Sequence, residues 1–202
     1  MDEEASRVRC EIAAAPWRLT PRWSFAMLRL ILMRHSKAEP ATGSGDHARP
    51  LSERGRSDAV EAGRVLARLL APDFVLVSDS ARTMGTFERV ARSFASGLAH
   101  RSTRRLYGAT PEVILEEVAM IPGEVRNLLV IGHNPGLGDL ARRLAGVDPA
   151  GPVGRDPALA ALATHFPTAC FAVLAFESGS WDGLVGPGRL EDLSIVPRGA
   201  TR

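Results

Sequence analysis

Three short apolar runs in this chain stop at residues that handle anions and protons. Leu30-Ile31-Leu32-Met33 ends in Arg34-His35. Phe74-Val75-Leu76-Val77 runs into Ser78-Asp79-Ser80-Ala81-Arg82-Thr83. Leu128-Leu129-Val130-Ile131 ends in Gly132-His133-Asn134-Pro135-Gly136. Arginine offers a planar fork of donors that fits phosphate or carboxylate oxygens. Histidine serves as acid, base, metal ligand or nucleophile. Taken singly, each pattern has an ordinary explanation: Arg34-His35 fits a surface pair after a core strand, Arg82 a solvated arginine, and His133 with Asn134-Pro135 a turn. Three such endings in one chain point instead to a common anion site.

The elements that would position these residues follow from periodicity. Runs of four or five apolar residues are too short for ordinary helices and suit strands buried on both faces of a parallel sheet. Ligands bind outside the carboxyl ends of such strands, where all three endings fall. Ser52 is a good N-cap, and Ala59, Ala62, Leu66, Leu69 and Leu70 recur at helical spacing, so a helix is expected over Glu53 to Leu70. Further helices are expected over Ala81 to about Ala95, Pro111 to Met120, Leu137 to Leu144 and Asp156 to Leu162. Strands are expected at Phe74 to Ser78, Arg104 to Leu106 and Asn127 to Ile131. Ala169 to Glu177 and Trp181 to Val185 read as a hairpin joined by Ser178-Gly179-Ser180. Glu116-Glu117 reads as helix surface. Strand and helix in alternation predict an α/β three-layer domain, a mostly parallel central sheet with helices on both faces.

Composition bounds the rest. The 202 residues suit one domain. Residues 1–26 carry mixed charge, Pro16 and Pro21 without periodicity, and read as an extension, disordered or loosely packed, before a domain spanning 27–202. A helix over Glu3 to Ala14 would need something to pack on. Lys plus Arg number 25 against 23 acidic residues, a balance that argues for neither nucleic acid nor a membrane surface. No apolar stretch is long enough to span a bilayer, and Trp23 to Met33 fails as a signal peptide because Arg29 interrupts it. A soluble, cytoplasmic protein is expected. Cys10 and Cys170 suggest no disulfide framework, and Cys170, in an apolar run, reads as a buried free thiol.

Taken together, the motifs resemble those of the histidine phosphatase superfamily, and within it the phosphohistidine phosphatases of the SixA type. Arg34-His35 is similar to the family's Arg-His signature. Ser80-Ala81-Arg82-Thr83 with Thr86 resembles its second-arginine motif, and Gly132-His133-Asn134-Pro135 its second-histidine motif. Asp46 to Gly55 looks like the segment that follows the first motif in the SixA group. The resemblance implies a phosphoglycerate mutase-like fold, His35 as nucleophile, Arg34 and Arg82 as clamps on phosphoryl oxygens, and His133 as a further donor. Ser80, Gly132 and Asn134 are expected to line the pocket, Gly132 by letting backbone approach the ligand. No metal or other cofactor is required, since the cationic side chains supply the positive charge. The expected substrate is a phosphohistidine-bearing protein. A small phosphorylated molecule is the alternative, turned over by a phosphomonoesterase or pyrophosphatase using the same pocket, and a retired phosphate-binding module is the non-enzyme reading. The protein is expected to be a monomer. Many superfamily members carry an acidic residue that protonates the leaving oxygen. Glu39, Asp46 and Glu116 are the candidates, none placed by spacing, which favours a leaving group such as imidazole that needs little help.

Overall fold

The computed structural model describes residues 27–41, 43, 45–148, 151, 156–184 and 186–195. The expectations for residues 1–26 lie outside them. The elements are β1 (Met27–Arg34), α1 (Glu53–Leu69), β2 (Phe74–Ser78), α2 (Ala81–Ala91), β3 (His100–Thr103), α3 (Pro111–Ala119), β4 (Asn127–Gly132), α4 (Gly136–Leu144), α5 (Pro157–Thr164), β5 (Phe171–Glu177) and β6 (Arg189–Ser194). One sheet runs β3-β2-β4-β1-β5-β6. The first four strands are parallel, and β5 joins antiparallel to β1 and to β6.

Alternation along the strands divides the core into two layers. Ile31, Met33, Val75, Val77, Leu129 and Ile131 face α1 and α2, meeting Ala62, Leu66, Phe87 and Val90. Leu30, Leu32, Leu76, Leu128 and Val130 face α3, α4 and α5, meeting Ile114, Val118, Leu140 and Leu162. This is why the strands read as unbroken apolar runs: both faces are covered. Among the described residues no helix is long and apolar enough to cross a membrane.

Two glycines are required by packing. A Cβ on Gly55 would lie 1.9 Å from the Lys37 carbonyl oxygen, and one on Gly136 1.9 Å from that of Ala109. The start of α1 is thereby pressed against the chain just beyond His35, and the start of α4 against the chain just beyond Tyr107.

The structure corrects three expectations. The edge strand is His100–Thr103, and Arg104–Leu106 is a 3-10 turn that begins where the Thr103 hydroxyl accepts the Arg105 amide at 3.2 Å. The strand beside β5 is Arg189–Ser194, not the segment from Trp181. Trp181 is 1 % exposed, with its indole N–H on the Val125 carbonyl at 2.9 Å, so this stretch plugs the core instead of extending as a strand. Glu117 is buried, held by Arg105 at 2.6 Å and Arg101 at 3.1 Å, and ties the 3-10 turn to α3.

Candidate active site

The carboxyl ends of β1, β2 and β4 bring the singled-out residues together. Arg34 pairs in register with Gly132. The next amide, that of His35, donates to the Gly132 carbonyl at 3.0 Å. Just before β5, Ala169 adopts φ 62° and its amide donates to the carbonyls of Arg34 and His35. A left-handed alanine costs about 1 kcal/mol or more, offset here by two bonds that fix the strand end. The Ser36 amide donates to Thr86 Oγ1 at 3.0 Å, and that hydroxyl donates to the Arg82 carbonyl at 2.7 Å. One threonine thus links the segment of His35 to the helix carrying Arg82.

The partners of each imidazole define its tautomer. His35 Nδ1–H donates to the Ser36 carbonyl at 2.8 Å, which leaves the Nε2 lone pair free to accept from Arg82 Nε at 3.2 Å. Burial, with help from Arg82, Arg34 and Arg49, pushes the His35 pKa down to about 4 against the Ser36 hydrogen bond. His35 is therefore neutral at physiological pH, with Nε2 able to attack. The His133 ring lies 5.1 Å from that of His35. Its Nδ1 accepts from Arg82 Nη2 at 3.3 Å and its Nε2–H donates to Ser78 Oγ at 2.9 Å. Burial first, then His35 and Arg82, lower its pKa to about 3. Since a hydroxyl can donate or accept, Ser78 can also serve the other tautomer, in which Nδ1–H points into the site.

Arg82 is the hub. It is 6 % exposed, and each guanidinium nitrogen is engaged: Nε on His35, Nη1 on the Asp46 backbone carbonyl at 2.6 Å, and Nη2 on Asp46 Oδ2 at 2.9 Å as well as on His133. Asp46 reaches the site because its loop is closed at the base by a bridge between Ala38 and Leu51 and by the Glu39 amide on the Pro50 carbonyl. The Tyr107 hydroxyl donates to Asp46 Oδ2 at 2.6 Å, and Arg49 to Oδ1 at 2.8 Å. These bonds, Tyr107 first, hold the carboxyl well below the usual carboxylate range. Asp46 is thus ionised and has no proton to give.

Arg34 donates from Nη1 to the Phe166 carbonyl at 3.0 Å, while its buried Nε has no partner. Asn134 Nδ2 donates to the same carbonyl at 3.0 Å, so Asn134 stands beside Arg34 and shares its anchor. The structure places four further candidates as follows. Ser80 is fully buried and donates to Thr83 Oγ1 at 2.7 Å; the serine that touches a site histidine is Ser78. A Cβ on Gly132 would lie 2.7 Å from Leu137 Cδ1, so the contact this glycine relieves in the structure is with a side-chain tip. Glu39 is exposed, bonded through its backbone, and Glu116 is exposed on α3, paired with Arg105; neither approaches the histidines through a described contact.

Tyr107 is the site residue that the sequence reading missed. Its ring packs edge-on against His133 at 5.3 Å and against His47 at 4.9 Å, and the Arg82 guanidinium lies 5.6 Å from its centroid. His47 is anchored in turn to Asp79 at 2.7 Å. A lone tyrosine after a 3-10 turn carries no signal in sequence; the Gly136–Ala109 contact, the Arg105–Glu117 pair and the bond to Asp46 bring it here. Among the described residues, no group of three or more His, Cys, Asp or Glu is gathered as for a metal ion. Cys170 is free and buried, its thiol pushed up to about 12 by burial.

The arrangement offers a neutral imidazole, one buried and one half-buried arginine and a second imidazole with a switchable donor, the set that in-line phosphoryl transfer needs. Comparison with known proteins agrees. Residues 30–118 match the histidine phosphatase superfamily (branch 1). An uncharacterized protein of Mycobacterium tuberculosis (strain H37Rv) is 38% identical over 151 residues, covering 74% of this chain and 89% of that protein. The structure of a candidate phosphohistidine phosphatase SixA from Nakamurella multipartitia superposes with a TM-score of 0.72 at 29% identity, covering 85% of this chain and 97% of that one. Its counterpart from Agrobacterium tumefaciens gives 0.67 at 29% identity, covering 83% and 97%.

Proposed function

Because the chain belongs to the histidine phosphatase superfamily, branch 1, and is of the SixA type, we propose that this phosphatase removes phosphate from phosphohistidine in proteins through a phosphorylated His35. The observation that carries the proposal is the state of His35: a neutral ring whose Nδ1–H is held by the Ser36 carbonyl and whose Nε2 lone pair faces Arg82.

In the first step Nε2 of His35 attacks phosphorus. The bond to the leaving nitrogen breaks, and its electron pair returns to the leaving imidazole. Arg82 moves its donors from Asp46 and from His35 Nε2, whose lone pair is thereby freed to attack, to the equatorial oxygens, and Arg34 adds the Nε–H that is otherwise unpartnered. His133 contributes Nδ1–H after passing its lone pair to the Ser78 side. In the second step water attacks phosphorus and the pair returns to His35 Nε2. Among the described residues, the three titratable groups gathered here hold no readily released proton: His35 and His133 are neutral and Asp46 is ionised. Imidazole, protonated by solvent near its ordinary pKa of about 6.5, leaves without one, whereas an alkyl alcohol does not. That contrast, together with the likeness to candidate SixA proteins, supports phosphohistidine over alkyl phosphates. Turnover of a phosphohistidine-bearing phosphocarrier protein beside a panel of sugar, nucleotide and serine phosphates tests it. The protein substrate is expected to be faster by about a hundredfold or more; a sugar or nucleotide phosphate turned over as fast would replace this reading with that of a small-molecule phosphatase.

A further inference from the structure

Asp46 poses a problem for any anion entering the site. Its carboxylate and its backbone carbonyl occupy both terminal nitrogens of Arg82, the donors a phosphoryl group needs. An entering phosphoryl group, with more oxygens and more charge, displaces these contacts. It does not dislodge Asp46 from the rim, because the Tyr107 hydroxyl and Arg49 hold the carboxylate independently of Arg82, and the loop is pinned at Ala38–Leu51. The result is an ionised carboxylate, 49 % exposed, that has just lost a charged partner beside the phosphoryl position. An in-line leaving group departs on the side of phosphorus opposite His35, where an exposed carboxylate can meet it.

We propose that Asp46 is the specificity-determining residue of this reaction: once substrate phosphate takes over Arg82, its carboxylate accepts the ring N–H of a protonated imidazole leaving group. The inference rests on the phosphatase reading given above and names what selects its substrate. A phosphohistidine ring protonated by solvent at its free nitrogen carries a positive charge and one N–H. Accepted by Asp46, that N–H stays on the ring while the P–N bond breaks, its electron pair going to the departing nitrogen and a new P–N bond forming to His35 Nε2. No proton crosses to or from Asp46, in keeping with its low pKa. The same carboxylate repels leaving groups that are themselves anionic, and offers nothing to an aryl oxygen without a hydrogen to donate.

The test compares two small probes, phosphoimidazole and p-nitrophenyl phosphate, with the full-length protein. Asp46→Asn should lower kcat/KM for phosphoimidazole by about tenfold to a hundredfold, the range for losing a hydrogen bond between charged groups. For p-nitrophenyl phosphate it should raise kcat/KM, and tighten inhibition by inorganic phosphate, because a weaker competitor now sits on Arg82. Tyr107→Phe, which removes one of the two posts holding the carboxylate, should erode the same preference in part. Equal losses on both probes, or an unchanged ratio between them, overturn the role of Asp46. Labelled phosphate trapped on His35 from p-nitrophenyl phosphate in the same samples separates the outcomes: with the label present and the ratio unchanged, only the Asp46 inference falls; with no label from either probe, the phosphatase mechanism falls with it.

Discussion

His35 and His133 titrate far from their ordinary value because the same burial that makes them useful denies them a proton. The sign of the consequence for stability follows from linkage. An unfolded histidine takes a proton below about pH 6.5, whereas folded His133 does so only near 3 and His35 near 4. Stability that is full above the unfolded value is therefore lost as pH falls from there toward these folded values. His133→Gln removes one such group while an amide can still reach Ser78 and Arg82. Its melting temperature should fall less than that of the wild type between about pH 7 and about pH 5; parallel curves would show that His133 takes up its proton in the folded protein as readily as in the unfolded chain. At this scale much of the site was legible. Arg34, His35, Arg82 and His133 each close or follow an apolar run, so the sequence marks them by position. Thr86 was read within the second-arginine motif but given no role, and Ser78 and Tyr107 were given no place in the site, since a hydroxyl reads the same as a cap, a local bond or a site partner until its neighbour across the sheet is known. Ser80 was chosen where Ser78 belongs for that reason.

Elements were legible where one period dominates. Helix α1 begins after Ser52, whose hydroxyl accepts the Gly55 amide at 3.1 Å, and β2 and α3 fall within a residue of expectation. The failures have one cause. Arg104 to Leu106 and Trp181 to Val185 are strand-like by composition, yet each is decided by a distant partner: Glu117 for Arg105, the Val125 carbonyl for Trp181. The glycine-mediated contacts make a testable claim at this scale. Gly136→Ala puts a methyl group against the Ala109 backbone, which cannot swing aside as a side-chain tip can. The variant should be destabilised by about 1–3 kcal/mol, the usual range for overpacking. It should also lose activity in the protein that remains folded, because Ala109 moves with Tyr107. Full activity per folded molecule would show that the Tyr107 segment is placed by other contacts.

Across the whole molecule the sheet order explains why residues a hundred positions apart meet. β1 lies between β4 and β5, and β2 flanks β4, so the ends of β1, β2 and β4 are adjacent while the helices that follow them bring Arg82 and seat His133. Alternation in the sequence predicted the layers and the parallel core, but not this order, which depends on pairings that no local pattern encodes. The antiparallel β5 covers the free side of β1, and Ala169, just before it, fixes the carbonyls of Arg34 and His35. In the proposed mechanism Nε2 of His35 is the atom that takes phosphate. Rapid acid-free quenching of the protein with a radiolabelled phosphohistidine substrate, followed by mapping of the labelled residue, tests that most directly. The account expects acid-labile, base-stable label on His35, absent in a folded His35→Ala variant that no longer turns over. Label on another residue, or undiminished turnover by His35→Ala, would contradict it.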